Sequence, residues 1–223
     1  MALILSIETA TTNCSVSLSK EGKTIVLKED YDKNYSHAER LHVYIDTVLK
    51  EADIDSKQLN AIAVSKGPGS YTGLRIGVSA AKGLCFALDK PLISIPTLEA
   101  LAYQVTCSDG VIVSMLDARR MEVYSAVFDS DFNQIRETQA QILDESSFSD
   151  CLEKGNVYFI GNGVEKTKGL INHPNAIFIE DKLPSANDMS MLAYNKYKIS
   201  DTEDVAYFEP YYLKDFVALK KKV

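Results

Sequence analysis

Apolar positions near the start of the chain recur with a period of two. Leu3-Ile-Leu-Ser-Ile7 is an almost unbroken apolar run and predicts a buried strand. Ser15-Val-Ser-Leu-Ser19 alternates serine with aliphatic residues, the pattern of a hairpin arm that returns after the polar turn Thr9 to Asn13. A third strand, Lys23 to Lys28, follows the Glu21-Gly22 turn. From Ser36 the period lengthens. Ser36 with Glu39 three residues later forms a capping-box signature, and Leu41, Ile45, Val48, Leu49 and Ala52 recur at helical spacing. Ala61 to Ser65 is apolar on both faces, as inner parallel strands are. A helix over 73–88, a strand over Leu92 to Ile95 and a helix over Thr97 to Val105 complete a first unit.

The pattern then restarts. Val111-Ile-Val-Ser-Met-Leu116 predicts a buried strand that ends at Asp117, and Glu122 to Phe128 returns from it, as Ser15 to Ser19 returns from Leu3 to Ile7. Glu8 and Asp117 fall at equivalent places in the two hairpins. A hairpin repeated at half the chain length predicts two related lobes, 1–106 and 107–223. After the second hairpin the signals weaken to a short strand at Tyr158 to Ile160, a helix near Val164 to Ile171 and a helix at Met189 to Tyr197, so the second lobe is expected to be the reduced one.

Composition changes this picture only by exclusion. The 223 residues carry a net charge of -7, which disfavours a nucleic-acid groove built by this chain alone, and the one dense basic run, Lys220-Lys-Lys222, reads as a solvated tail. The N-terminal apolar run is too short to span a bilayer and has no signal-peptide features, so a cytoplasmic location is expected. Cysteines 14, 85, 107 and 151 show neither paired metal-ligand spacing nor disulfide density and read as reduced, packed side chains.

Candidate chemistry concentrates in three places. The segment Ser65 to Gly77 holds four glycines, yet lacks the lysine and hydroxyl residue that close a phosphate-binding loop. Gly73, Gly77 and Ala81 share one helix face. An interior helix glycine costs about 1 kcal/mol relative to alanine, so a close backbone contact is expected there, either inside the chain or with another chain. His37 and His42, five residues apart, lie about 140° apart around a helix axis and do not form the i, i+4 pair that grips a metal. Glu8 and Asp117 at the hairpin ends, with Gly161 and Gly163 at a strand-to-helix turn, are the candidates for contact with a nucleotide in an interlobe cleft; the same carboxylates also suit turn capping.

Five stretches, in order over nearly the whole chain, resemble the TsaB (YeaZ) family: Leu3-Ile-Leu-Ser-Ile-Glu-Thr-Ala-Thr11, Ser36-His-Ala-Glu-Arg-Leu41, Lys66 to Gly77, Asp117-Ala-Arg-Arg-Met-Glu-Val-Tyr124 and Pro210-Tyr-Tyr-Leu-Lys214. Two departures from the family pattern stand out: Glu8 stands where aspartate is common, and Arg120-Met121 replaces Met-Gly. The resemblance implies an α/β, two-lobed actin-like ATPase (ASKHA, RNase H-like) fold, with mixed sheets flanked by helices. It also implies a noncatalytic partner of TsaD, the subunit that places threonylcarbamoyl on the adenosine beside the anticodon of certain tRNAs, in a complex joined by the ATPase TsaE. On that reading no catalytic or metal-ligating residue belongs to this chain, ATP and metal reside in the partner subunits, tRNA is reached only through the complex, and there is no membrane contact. The family's contact with TsaD, and a similar homodimer surface, implies an interface of His37, Arg40, Leu41, Tyr44, Gly73, Arg75, Ile76, Gly77, Ala80 and Ala81. Stand-alone actin-fold phosphotransferase and metallopeptidase, the latter matching older glycoprotease labels, are the competing readings.

Overall fold

The computed structural model describes residues 1–30 and 37–214, so the Ser36 cap and the Lys220–Lys222 tail lie outside the described residues. Two five-stranded mixed sheets form the two lobes. The first contains β1 (Leu3–Glu8), β2 (Cys14–Lys20), β3 (Lys23–Asp30), β4 (Ala61–Gly67) and β5 (Leu92–Pro96) in the order β3-β2-β1-β4-β5. The second contains β6 (Val111–Asp117), β7 (Glu122–Asp129), β8 (Gln134–Ile142), β9 (Val157–Ile160) and β10 (Ala176–Ile179) in the order β10-β9-β6-β7-β8. Read from the meander outward, the two orders are the same. In each, an antiparallel meander is extended by two parallel strands beside its first strand. This is the RNase H-like topology of actin-like folds, present twice.

Helices α1 (His37–Glu51), α2 (Tyr71–Leu88) and α3 (Thr97–Ala102) accompany the first sheet in sequence, and α4 (Ser149–Leu152), α5 (Val164–Lys168) and α6 (Met189–Lys198) follow the second hairpin. Alternation along β1 sorts its side chains between two cores. Leu3, Leu5 and Ile7 pack with Leu41, Ile45 and Val48 of α1 and Val78, Ala81 and Cys85 of α2. Ile4 points the other way, into a cluster with Met189, Leu192 and Ala193 of α6. Burial of each such aliphatic side chain contributes about 1.5–3 kcal/mol, which is why a strand apolar on both faces must lie between two helical layers.

The second lobe is the reduced one in its helices, which are short. Its sheet has as many strands as the first, and β8 and β10 carry weak signals because β8 is a polar edge strand and β10 spans only four residues. The division at 106/107 separates the two sheets but not the helical layers. α6, from the second segment, covers the first sheet, while Leu98, Leu101 and Ala102 of α3 pack with Ile112, Leu116 and Phe128 of the second. Each sheet leaves an apolar face that the other helices of its own segment do not cover, and the exchange of α3 and α6 covers both.

Candidate partner groove and interlobe cleft

The glycine segment turns inward. Ser70 caps α2 by accepting from the Gly73 amide at 3.3 Å, and the Thr9 hydroxyl donates to the Gly73 carbonyl at 2.8 Å. A Cβ on Gly73 would sit 2.1 Å from the Thr9 carbonyl oxygen, and one on Gly77 2.2 Å from Thr9 Oγ1. The small face of α2 therefore receives the β1–β2 turn of its own chain, and the close approach is intrachain. Ala81 is buried in the same core. Leu41 and His37 are buried as well, and His37 Nε2 lies 2.7 Å from the Thr11 carbonyl; burial holds its pKa below the ordinary histidine value. Of the ten expected interface residues, these five are enclosed and present no side-chain surface to a partner.

The other five keep some surface: Arg75 is exposed, Arg40 is half-buried and pairs with Asp30, and Tyr44, Ile76 and Ala80 are half-buried with one side packed on the first core. Arg75, Ile76 and Ala80 line a groove of about 740 Å³ between the two helices, joined by Ala38 and His42 of α1 and by Tyr71, Thr72, Ser79, Gly83 and Leu84 of α2. On the same two helices Val43 and Phe86 are exposed, Phe86 to 87%. Gly83 differs from Gly73 and Gly77: a Cβ there would meet nothing within 4 Å. It carries the helix-propensity cost of a glycine without a contact inside the chain. Sequence reasoning missed Ser79 and Gly83, although their i, i+4 spacing on the face away from Gly77 was a legible signal.

The second concavity, about 590 Å³, lies between the lobes and is lined by Ala10 and Thr11, the Pro68–Thr72 loop, the Asp117–Arg120 turn, Asn162 and Tyr211–Lys214. Asp117 reaches it already engaged, accepting from the Arg119 amide at 2.6 Å and from Lys166 Nζ at 2.5 Å. Glu8 is buried beneath it. Its Oε1 accepts from the Ala10 amide at 2.5 Å and from the Ser65 hydroxyl at 2.9 Å, so the carboxyl caps its own turn. Gly161 and Gly163 are packed on Met115 of β6, where a Cβ would lie 2.1 Å from the Met115 carbonyl or 2.9 Å from Val123. The expected nucleotide set is therefore not brought together: one carboxylate is spent on a turn, the other on Lys166, and both glycines serve packing. Among the described residues no group of three His, Cys, Asp or Glu side chains is placed to hold a metal ion. Nor is any described helix long and apolar enough to cross a membrane.

Burial pushes the Glu8 carboxyl up from 4.5 to about 7, against the hydrogen bonds from Ala10 and Ser65 that lower it. An unfolded chain ionises this group near 4.5 while the folded chain keeps it neutral to about 7. The stability associated with Glu8 is therefore complete below pH 4.5 and falls, by about 3 kcal/mol, as pH rises to 7. Glu8→Gln is expected to remove that decline: urea unfolding at about pH 5 and pH 8 should show the variant gaining about 3 kcal/mol on the parent between the two conditions. Parallel pH profiles for the two proteins would show that Glu8 is not the titrating group.

Known proteins resemble this chain over nearly its whole length. The family model described as TsaD: tRNA N6-adenosine threonylcarbamoyltransferase matches residues 32–222. The tRNA threonylcarbamoyladenosine biosynthesis protein TsaB of Escherichia coli (strain K12) is 31% identical over 230 residues, covering 98% of this chain and 97% of its own length. TsaB of Haemophilus influenzae is 30% identical, at 98% and 96% coverage. Among solved structures, YeaZ from Pseudomonas aeruginosa superposes with a TM-score of 0.82 at 26% identity, covering 96% of this chain and all of that one (100%).

Proposed function

We propose, from the premise that this chain belongs to the TsaB (YeaZ) family, that it is a noncatalytic subunit which binds a TsaD-like catalytic subunit through the α1–α2 groove. The family acts in the biosynthesis of threonylcarbamoyladenosine on tRNA. The observation that carries the finer reading is the groove itself. It sets the half-buried Ile76 and Leu84 beside small residues, the same two helices expose Val43 and Phe86, and its Gly83 makes no close contact outside its own helix. Small residues let a partner helix approach closely, while Ile76, Leu84, Val43 and Phe86 supply apolar area to bury. A TsaE-like ATPase joins the same assembly, and in the absence of the catalytic subunit a second copy of this chain takes the groove. Transfer chemistry, metal and ATP belong to the partners, and tRNA is reached through them.

The test is reconstitution. With purified TsaD-like and TsaE-like subunits and tRNA, modification is expected only when this chain is added, and sedimentation should show a stable complex with the TsaD-like subunit. Full modification without this chain would overturn the reading. The occupied carboxylates of the cleft lead to a further expectation. Calorimetry on the isolated chain should give a dissociation constant for MgATP no tighter than roughly 0.1 mM. Micromolar affinity lost on Asp117→Ala would favour a phosphotransferase instead.

A further inference from the structure

The Pro210-Tyr-Tyr-Leu-Lys214 motif has no part in the groove, yet the structure gives it a continuous path. After α6 the chain is pinned to the first lobe at the β5 edge, where the Glu203 amide donates to the Leu92 carbonyl at 2.8 Å. Val205 and Phe208 pack against the first core, and Lys82 Nζ of α2 donates to the carbonyls of Ala206 (3.1 Å) and Phe208 (2.9 Å). The segment then enters the interlobe cleft. There the Tyr211 amide donates to the Lys66 carbonyl at 2.7 Å, and the Tyr212 ring lies 4.9 Å from that of Tyr71. Lys214 crosses to the second lobe and pairs with Glu122 of β7. The Lys66–Ser70 loop is shaped around this passage. Gly67 has φ +111°, and a Cβ there would fall 2.6 Å from the Tyr211 carbonyl oxygen.

We propose that one wall of the interlobe cleft is a binding site for an extended peptide, occupied in cis by Pro210–Lys214, and that this segment clasps the two lobes at a fixed angle. Main-chain pairing to Lys66 gives it affinity, the Tyr71–Tyr212 contact sets its register, and the Lys214–Glu122 ion pair ties its far end to the other lobe. The anchors are divided between the lobes: Lys66, Tyr71 and Lys82 on the first, Glu122 on the second. The inference does not depend on the partner reading.

Hydrogen exchange on the full-length chain tests it. Lys214→Glu sets like charges against each other across the cleft, and exchange is expected to rise about fivefold at the 66–72 loop as well as at the 117–122 turn. Glu122→Lys should do the same, and the double reversal Lys214→Glu/Glu122→Lys should restore the parent rates. The 66–72 loop decides the matter. It lies on the other lobe from Glu122, so a disturbance confined to the ion pair leaves it unchanged. Tyr212→Ala, at an exposed ring, is expected to speed the same loop with the core protected as before. Unaltered exchange at 66–72 in both single charge variants, or a double variant as fast as the singles, would overturn the clasp. Should Tyr212→Ala lose its core protection, the charge reversals alone decide.

Discussion

Gly77→Arg is expected to leave the chain unfolded or close to it. Even a methyl group at this position would meet Thr9 Oγ1 at 2.2 Å, so the β1–β2 turn and α2 must separate. Overpacking of that kind costs about 1–3 kcal/mol, and the guanidinium would add the larger penalty of an unpaired charge next to a buried core. A loss of roughly 5 kcal/mol compares with a total stability of about 5–15 kcal/mol for a typical domain. Gly73→Ala should fail for the same reason, since its Cβ would meet the Thr9 backbone oxygen at 2.1 Å, an atom that cannot rotate away. Circular dichroism melts and soluble yield would measure both. A Gly77→Arg protein melting within a few degrees of the parent would mean that the turn can be displaced cheaply, and the close packing described above would lose its energetic meaning.

Gly83→Arg, six residues further along the same helix, is expected to do the opposite. Apart from the backbone of its own helix turn, no atom lies within 4 Å of its Cβ position, and arginine favours helix over glycine by roughly 1 kcal/mol, so the monomer should hold or gain stability. In the proposed complex the same side chain would project into the groove where a partner helix comes closest. Burying it there without a counter-charge would cost about 4 kcal/mol, or roughly a thousandfold in affinity. Sedimentation with the TsaD-like subunit, beside a thermal melt of the isolated chain, separates the two effects. Binding at parental strength would remove the groove from the interface. Loss of both binding and fold would show that Gly83 belongs to the core after all.

The contrast between these two glycines shows where sequence reasoning stops. Periodicity alone marked Gly73, Gly77 and Ala81 as a face needing close approach, and that was sound: helix glycines carry a cost that something must offset. It did not reveal what came close. The answer is Thr9, 64 residues from Gly73, and with it the small face of α2 is closed to any partner. Arg75, Ile76 and Ala80 survive as groove residues because they lie off that face, Ala80 about 60°, Ile76 about 100° and Arg75 about 160° around the helix axis from Gly77.

By itself the sequence determined the local elements of both hairpins, the order of strands and helices through the first lobe, and the repeat that makes two lobes, because those depend on side-chain period and turn residues within a few positions. It also carried the family, through stretches spread over the chain. Only the tertiary structure decided which faces are covered and by what. Ser15, Ser17 and Ser19 alternate with aliphatic residues as though one face of β2 met solvent, yet all are buried. The Ser17 hydroxyl donates to the Ala186 carbonyl at 2.8 Å, and the Ala186 amide donates to Ser15 Oγ at 3.0 Å, so the segment leading into α6 docks on the serine stripe. A hydroxyl hydrogen-bonded to a distant backbone is as well satisfied as one in water, so its polarity in the sequence does not distinguish the two fates. The same holds for Glu8, whose carboxyl reads as a cleft ligand until burial and the Ala10 amide make it a turn cap. Period and propensity act over a few residues. Desolvation depends on whichever segment of the chain arrives, and the one that covers Ser17 comes from 169 residues away.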